Sequence, residues 1–199
     1  MSSMKGSSGF SLIEILVVTF ILALTSGVIA ILLSGVLRGS NKAQVVGDVT
    51  KNGNYALSVI SDHLRNSEGM LYFNGVTSST TCPVSPAPPA EGARITIRGF
   101  DKGETTFACV TDASATPPIT TIASQSGALS FSLIDLSTVE VDTSVTPCAS
   151  VFLCSQLGES ATPRVTIQFT LKNKGTENFF ESRYSASFKT DVLFRNAIR

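Results

Sequence analysis

Charge is scarce in this chain. Charged residues make up 15% of its 199 positions, against roughly 25% in an average soluble protein. The 15 basic residues are balanced by 15 acidic ones. Without a basic excess there is no electrostatic footprint for general nucleic-acid binding. Histidine is scarcer still. The single His63 excludes a multi-His metal site within the chain and leaves little room for His-based catalysis. There is no G-x-S-x-G, no EF-hand spacing and no C-x-x-C pair, so the usual signatures of a serine hydrolase, a calcium loop and a thiol-redox centre are missing. No internal repeat falls in the roughly 20–50-residue range of solenoids. Composition leans away from an enzyme.

What the chain does have is one long apolar run. Phe10 to Leu37 carries a single charge, Glu14. As a helix it would extend about 42 Å at 1.5 Å per residue, more than a ~30 Å hydrocarbon core requires. The nine residues before it hold one positive charge, Lys5, and no apolar run. An ordinary signal peptide fits poorly, because the basic region is weak and Ala23-Leu24-Thr25-Ser26-Gly27 is no A-x-A site. A lipoprotein signal needs an early Cys, and the first is Cys82. A plain signal anchor leaves Glu14 unexplained. A carboxylate at that depth costs on the order of 1–3 kcal/mol.

Gly9-Phe10-Ser11-Leu12-Ile13-Glu14 closely resembles the type IV prepilin motif. In that family a membrane-embedded aspartic peptidase cuts after the glycine, and the new N-terminal residue is N-methylated. The resemblance implies cleavage between Gly9 and Phe10, methylation of Phe10, and an assembly role for Glu14 as the fifth mature residue. In a filament of staggered helices, Glu14 would meet the Phe10 amine of a neighbouring subunit. Burying the two charges together is tolerable, whereas burying one alone costs several kcal/mol. The competing reading has Glu14 snorkel to the headgroups. The resemblance further implies four kinds of partner: prepilin peptidase, other pilin or pseudopilin subunits, an inner-membrane assembly platform, and membrane lipid before assembly. It implies no cofactor, and the even charge balance argues against DNA as a partner. The expected location is the inner membrane with a single pass and the head outside, then a filament or pseudopilus. Positive-inside counting disagrees. Arg38, Lys42 and Lys51 follow the run and only Lys5 precedes it. The prepilin junction and the cysteines outweigh that count.

Beyond the run, Val45, Val46, Val49, Ala56, Leu57, Ile60 and Leu64 recur at helical spacing. They predict one nearly continuous helix from Ser11 to Glu68, stopped by Gly69. Gly47 and Gly53 weaken its middle by about 1 kcal/mol each, or permit bending or close packing. After it, period-two alternation predicts strands at 94–98, 105–110, 129–133, 165–171 and 184–194, with turns at Asp101-Lys102-Gly103 and Asn173-Lys174-Gly175. Their apolar faces would lie on the stem helix and their polar faces in water. Thr77–Gly92 and Thr111–Gly127 read as low-charge loops. The predicted fold is α+β and pilin-like: a long N-terminal helix, membrane-spanning in its first half, packed on an antiparallel β-sheet head. Its parts are a leader at 1–9, a transmembrane or filament-core helix at 10–37, a stem at 38–69 and a head at 70–199.

Cys82, Cys109, Cys148 and Cys154 all lie in the head, where an oxidising space favours two disulfides. Of the three pairings, Cys148–Cys154 suits a small closed loop and leaves Cys82–Cys109 to tie the proline-rich loop to a strand. His63 beside Asp62 reads as a solvated pair on a helix. Asp135, Glu140 and Asp142 lie near one another in sequence but too few for calcium. Arg183, Lys189, Arg195 and Arg199 read as a solvated basic face. Chain size, the stem run Ile60-Ser61-Asp62-His63-Leu64-Arg65-Asn66 and the ending Arg195-Asn196 are similar to the J-type pseudopilin of type II secretion and the W-type minor pilin. The expected function is a structural minor pilin or pseudopilin. The alternative is a filament-tip binding module, an adhesin or a DNA-uptake receptor.

Overall fold

The computed structural model describes residues 11–77, 82–116, 118–158, 161–174 and 184–194. One helix, α1 (Leu12–Arg65), is followed by a β-rich region. The chain divides into two compact units between Ala43 and Gln44. In the first unit every described residue is exposed, including Leu12 at 83% and Phe20 at 62%. This part of α1 is long and apolar enough to cross a membrane. Four of its hydroxyl side chains turn inward on the helix itself. Thr19 donates to the Ile15 and Leu16 carbonyls, Thr25 to those of Ile21 and Leu22, Ser26 to Leu22 and Ser34 to Ala30. Hydroxyls satisfied this way need no water, as an apolar surrounding demands.

In the second unit α1 buries Val49, Gly53, Ala56, Ile60 and Leu64. The helix ends at Arg65, three residues before the predicted end at Glu68. The Ser67 hydroxyl bonds the Leu64 carbonyl at 2.8 Å, and the Glu68 N–H is taken by the Arg98 carbonyl. Gly69 is therefore the first residue of a strand rather than a helix stop.

The strands form two sheets, not one. The first comprises β1 (Gly69–Phe73), β2 (Val76–Thr77), β4 (Arg94–Arg98), β5 (Glu104–Asp112), β6 (Ile119–Ser126) and β7 (Leu129–Ser132). Its order is β2-β1-β4-β5-β6-β7, antiparallel throughout. The second runs in the order β11 (Ser185–Leu193), β10 (Arg164–Asn173), β9 (Phe152–Ser155), β3 (Ala90–Gly92), with β8 (Val139–Val141) also paired to β10. The predicted pairing of 94–98 with the strand after Asp101-Lys102-Gly103 is present, and so is that of 165–171 with the last strand. The core joins stem and sheets: Ile60 and Leu64 from the helix, Ile95 and Phe107 from the first sheet, and Ile167 and Phe169 from the second.

Three expectations change. Thr111–Gly127 is not a loop, because β6 occupies Ile119–Ser126 and buries Thr120, Ile122 and Ala123. The strand at 129–133 is not half-buried; Leu129 and Phe131 are 63% and 60% exposed, and only Leu133 is buried. The polar face of β10 is not open to water at Thr166 and Thr170. The loop from β8 to β9 places the Thr146 hydroxyl 3.0 Å from that of Thr170.

Gly53 admits the second sheet to the helix. A Cβ there would lie 2.2 Å from the ring of Phe188 on β11. That ring stacks on Phe169 with centroids 5.6 Å apart. On the first sheet, His63 meets the Phe107 ring edge-on at 5.7 Å.

The disulfides join Cys82 to Cys154 and Cys109 to Cys148. This corrects the expected Cys148–Cys154 and Cys82–Cys109 pairing. The short-loop argument fails because 152–155 is a strand. Cys154 sits in β9 between Ala90 and Val165, carried away from Cys148 in its 3₁₀ turn. Cys82–Cys154 pins the proline-rich loop to the second sheet, and Cys109–Cys148 ties β5 of the first sheet to the turn leading into β9.

Candidate functional site: the N-terminal segment

The predicted cleavage and methylation positions, Gly9 and Phe10, lie outside the described residues. The description begins at Ser11, which caps the helix. Its Oγ accepts the Glu14 N–H at 3.3 Å, and its carbonyl accepts the N–H groups of Glu14 and Ile15 at 3.0 and 3.3 Å. Ser11 is a helix cap that the sequence reading passed over. The signal was available, since Ser-x-x-Glu before an apolar run is the capping-box pattern. Glu14 lies in the first turn, where the helix dipole favours negative charge.

The other candidate residues do not converge. The Asp62 carboxylate accepts a bond from Ser58 on its own helix face, while His63 rests on Phe107. Asp135 and Asp142 each accept both the backbone N–H and the hydroxyl of the serine two residues on. Glu140 pairs instead with Lys172 at 3.1 Å. Asp112 and Asp135 are held below the ordinary carboxylate range, first by the hydroxyls of Ser114 and Ser137 and then by the backbone N–H groups of the same serines. Among the described residues no group of three or more His, Cys, Asp or Glu is placed to hold a metal. Arg183, Arg195 and Arg199 lie outside the description. Lys189 lines an open cleft of about 450 Å³ together with Glu91, Thr146 and Gln168, so its charge shares the cleft with a carboxylate.

A family model described as the prokaryotic N-terminal methylation motif matches residues 4–30. The match spans the Gly9-Phe10 junction, Ser11, Glu14 and most of the exposed apolar helix. Residues 4–30 thus carry a methylation motif of the kind found at the N-terminus of type IV prepilin-like proteins. No curated protein and no solved structure matches the chain.

Proposed function

We propose that the protein is a minor type IV pilin or pseudopilin, a structural subunit of an envelope filament machine. Prepilin peptidase removes residues 1–9, Phe10 becomes the methylated N-terminus, and the subunit joins the filament through the first half of α1. The observation that carries this reading is the methylation motif opening directly into a fully exposed apolar helix. Before assembly that helix lies in membrane lipid and meets the assembly platform. The two disulfides support a head in an oxidising space outside the inner membrane.

The test is the mass of the mature N-terminus in a host that supplies the peptidase. A chain starting at methylated Phe10 is expected, and an intact leader or a cut near Gly27 overturns the proposal. Glu14→Ala then separates processing from assembly. It should still be cleaved, because the peptidase reads the glycine and the apolar run. In the packed filament the Phe10 amine would lose its partner, a penalty of roughly 3–5 kcal/mol. At tenfold per roughly 1.4 kcal/mol, co-purification with the filament should fall by two or more orders of magnitude. Equal recovery of Glu14→Ala and parent would leave Glu14 as a first-turn charge favoured by the helix dipole and nothing more.

A further inference from the structure

Both ends of the first sheet are bare of charge. No charged residue lies between Glu68 and Glu91, the stretch holding β1 and β2, nor between Asp112 and Asp135, the stretch holding β6 and β7. The second sheet is different: its terminal strand β11 carries Lys189 and Asp191, and β3 carries Glu91. Proteins commonly guard open edges with charge, proline or bulges, because unpaired backbone groups invite another strand. β7 has none of these guards, and it exposes Leu129 and Phe131.

The two bare edges are complementary in direction. Six strands paired antiparallel throughout make β2 and β7 run in opposite senses. They are also matched in register. One row crosses the whole sheet: Val76, Phe73, Ile95, Phe107, Ser124, Phe131. The two-residue turns at Asn74-Gly75 and Gly127-Ala128 make Phe73–Val76 and Ser126–Leu129 hydrogen-bonded pairs. By the alternation of the ladder, the N–H and C=O of Thr77 point away from β1, and those of Ser130 and Ser132 point away from β6.

We infer that the first sheet is continued from one copy of this chain to the next, β7 of one pairing antiparallel with β2 of the other. Phe131 would stand opposite Val76 of the second copy, and Ser130 would exchange both backbone bonds with its Thr77. The occupant is a second copy because copies anchored alike in one membrane point their stems the same way, which rests on the function proposed above. β7 pairing with another β7 about a two-fold axis would set the stems antiparallel. Head-to-tail pairing keeps them parallel, and a heterologous contact of this kind propagates into an open filament. Covering Leu129 and Phe131 supplies the apolar gain, and two neutral edges meet without like-charge repulsion.

The test uses the full chain in membranes of a host that carries the peptidase. A photoreactive phenylalanine analogue replaces Phe131, and isotope-labelled and unlabelled copies are mixed. Irradiation should join position 131 of one copy to the peptide holding residues 74–77 of another. Phe131→Lys, tested with the probe at Leu129, should lower the yield about tenfold, equivalent to about 1.4 kcal/mol. Gln125→Lys, which adds the same charge on the opposite face of β6, should leave it unchanged. Cross-links to residues 123–134 of another copy, to a different protein, or to none would each overturn the inference. The N-terminus is read on the same sample. Processing at Phe10 without the cross-link defeats the edge contact alone, whereas the cross-link in an unprocessed chain defeats the pilin reading alone.

Discussion

Gly53 shows how much one residue decides here. In a helix interior glycine costs about 1 kcal/mol relative to alanine, so Gly53 and Gly47 look alike in the sequence. Their surroundings differ: nothing lies within 4 Å of a Cβ built on Gly47, while three ring carbons of Phe188 lie within 2.4 Å of one built on Gly53. Gly47→Ala should therefore raise head stability slightly, by up to about 1 kcal/mol. Gly53→Ala should lower it by about 1–3 kcal/mol, because the buried Phe188 ring has to move and its stack on Phe169 goes with it. Adding Phe188→Leu should recover part of that loss, a non-additivity expected only of touching residues. Thermal or urea unfolding of these three variants, of Phe188→Leu alone and of the parent measures all of this. Equal effects at the two glycines would show that the helix does not meet β11 at Gly53.

The elements that the sequence made legible were those with clean periodicity. The stem spacing picked out Val49, Ala56, Ile60 and Leu64, all fully buried, and strict alternation located β4, β5, β10 and β11. The misses share a cause, which is that partners distant in sequence decided the outcome. β6 is mostly Thr, Ser, Ala and Gln, so its apolar period is faint until β5 and β7 flank it. The β1–β2 hairpin has a strong signal in Asn74-Gly75, with both residues at positive φ, but it falls in the unassigned stretch between the expected helix stop at Gly69 and the loop from Thr77. Division into two sheets leaves no trace in local pattern. The disulfides depend on it, since Cys109–Cys148 connects β5 to the turn entering β9. Peptide mapping of protein from the envelope should find the Cys82–Cys154 and Cys109–Cys148 links and no alkylatable thiol. The bonds close separations of 72 and 39 residues, and loop-closure entropy puts the worth of each at about 4 kcal/mol. Cys154→Ser should thus lower head stability by about that amount. Recovery of a Cys148–Cys154 peptide would refute this arrangement of β9.

At the scale of the whole molecule, the division between Ala43 and Gln44 separates two kinds of chemistry carried on one helix. The first described buried residue is Val49, and the core cluster lies entirely at or beyond it. Residues 12–37 instead expose large apolar side chains, with Ile31 at 74% and Leu32 at 64%. A soluble protein rarely leaves a contiguous apolar surface of that extent uncovered. Fold stability and membrane affinity should therefore part company when the chain is cut. Residues 44–199 exported to an oxidising compartment should stay soluble without detergent, form both disulfides and unfold in one cooperative transition. They keep the helical face that fills the core, including Gly53 beneath Phe188, and Asn52, whose Oδ1 accepts the Asp135 N–H at 2.8 Å. The full chain should be released from membranes only by detergent. Starting the chain at residue 54 should behave differently. It removes Val49, Asn52 and Gly53, leaves the Phe188 ring uncovered, and should cost several kcal/mol, the scale of losing a large buried contact. Fractionation with and without detergent, followed by urea unfolding of the soluble forms, measures both properties in one series. If 44–199 precipitates or melts without cooperativity while the full chain in detergent unfolds sharply, the first half of α1 is part of the fold and not only its anchor.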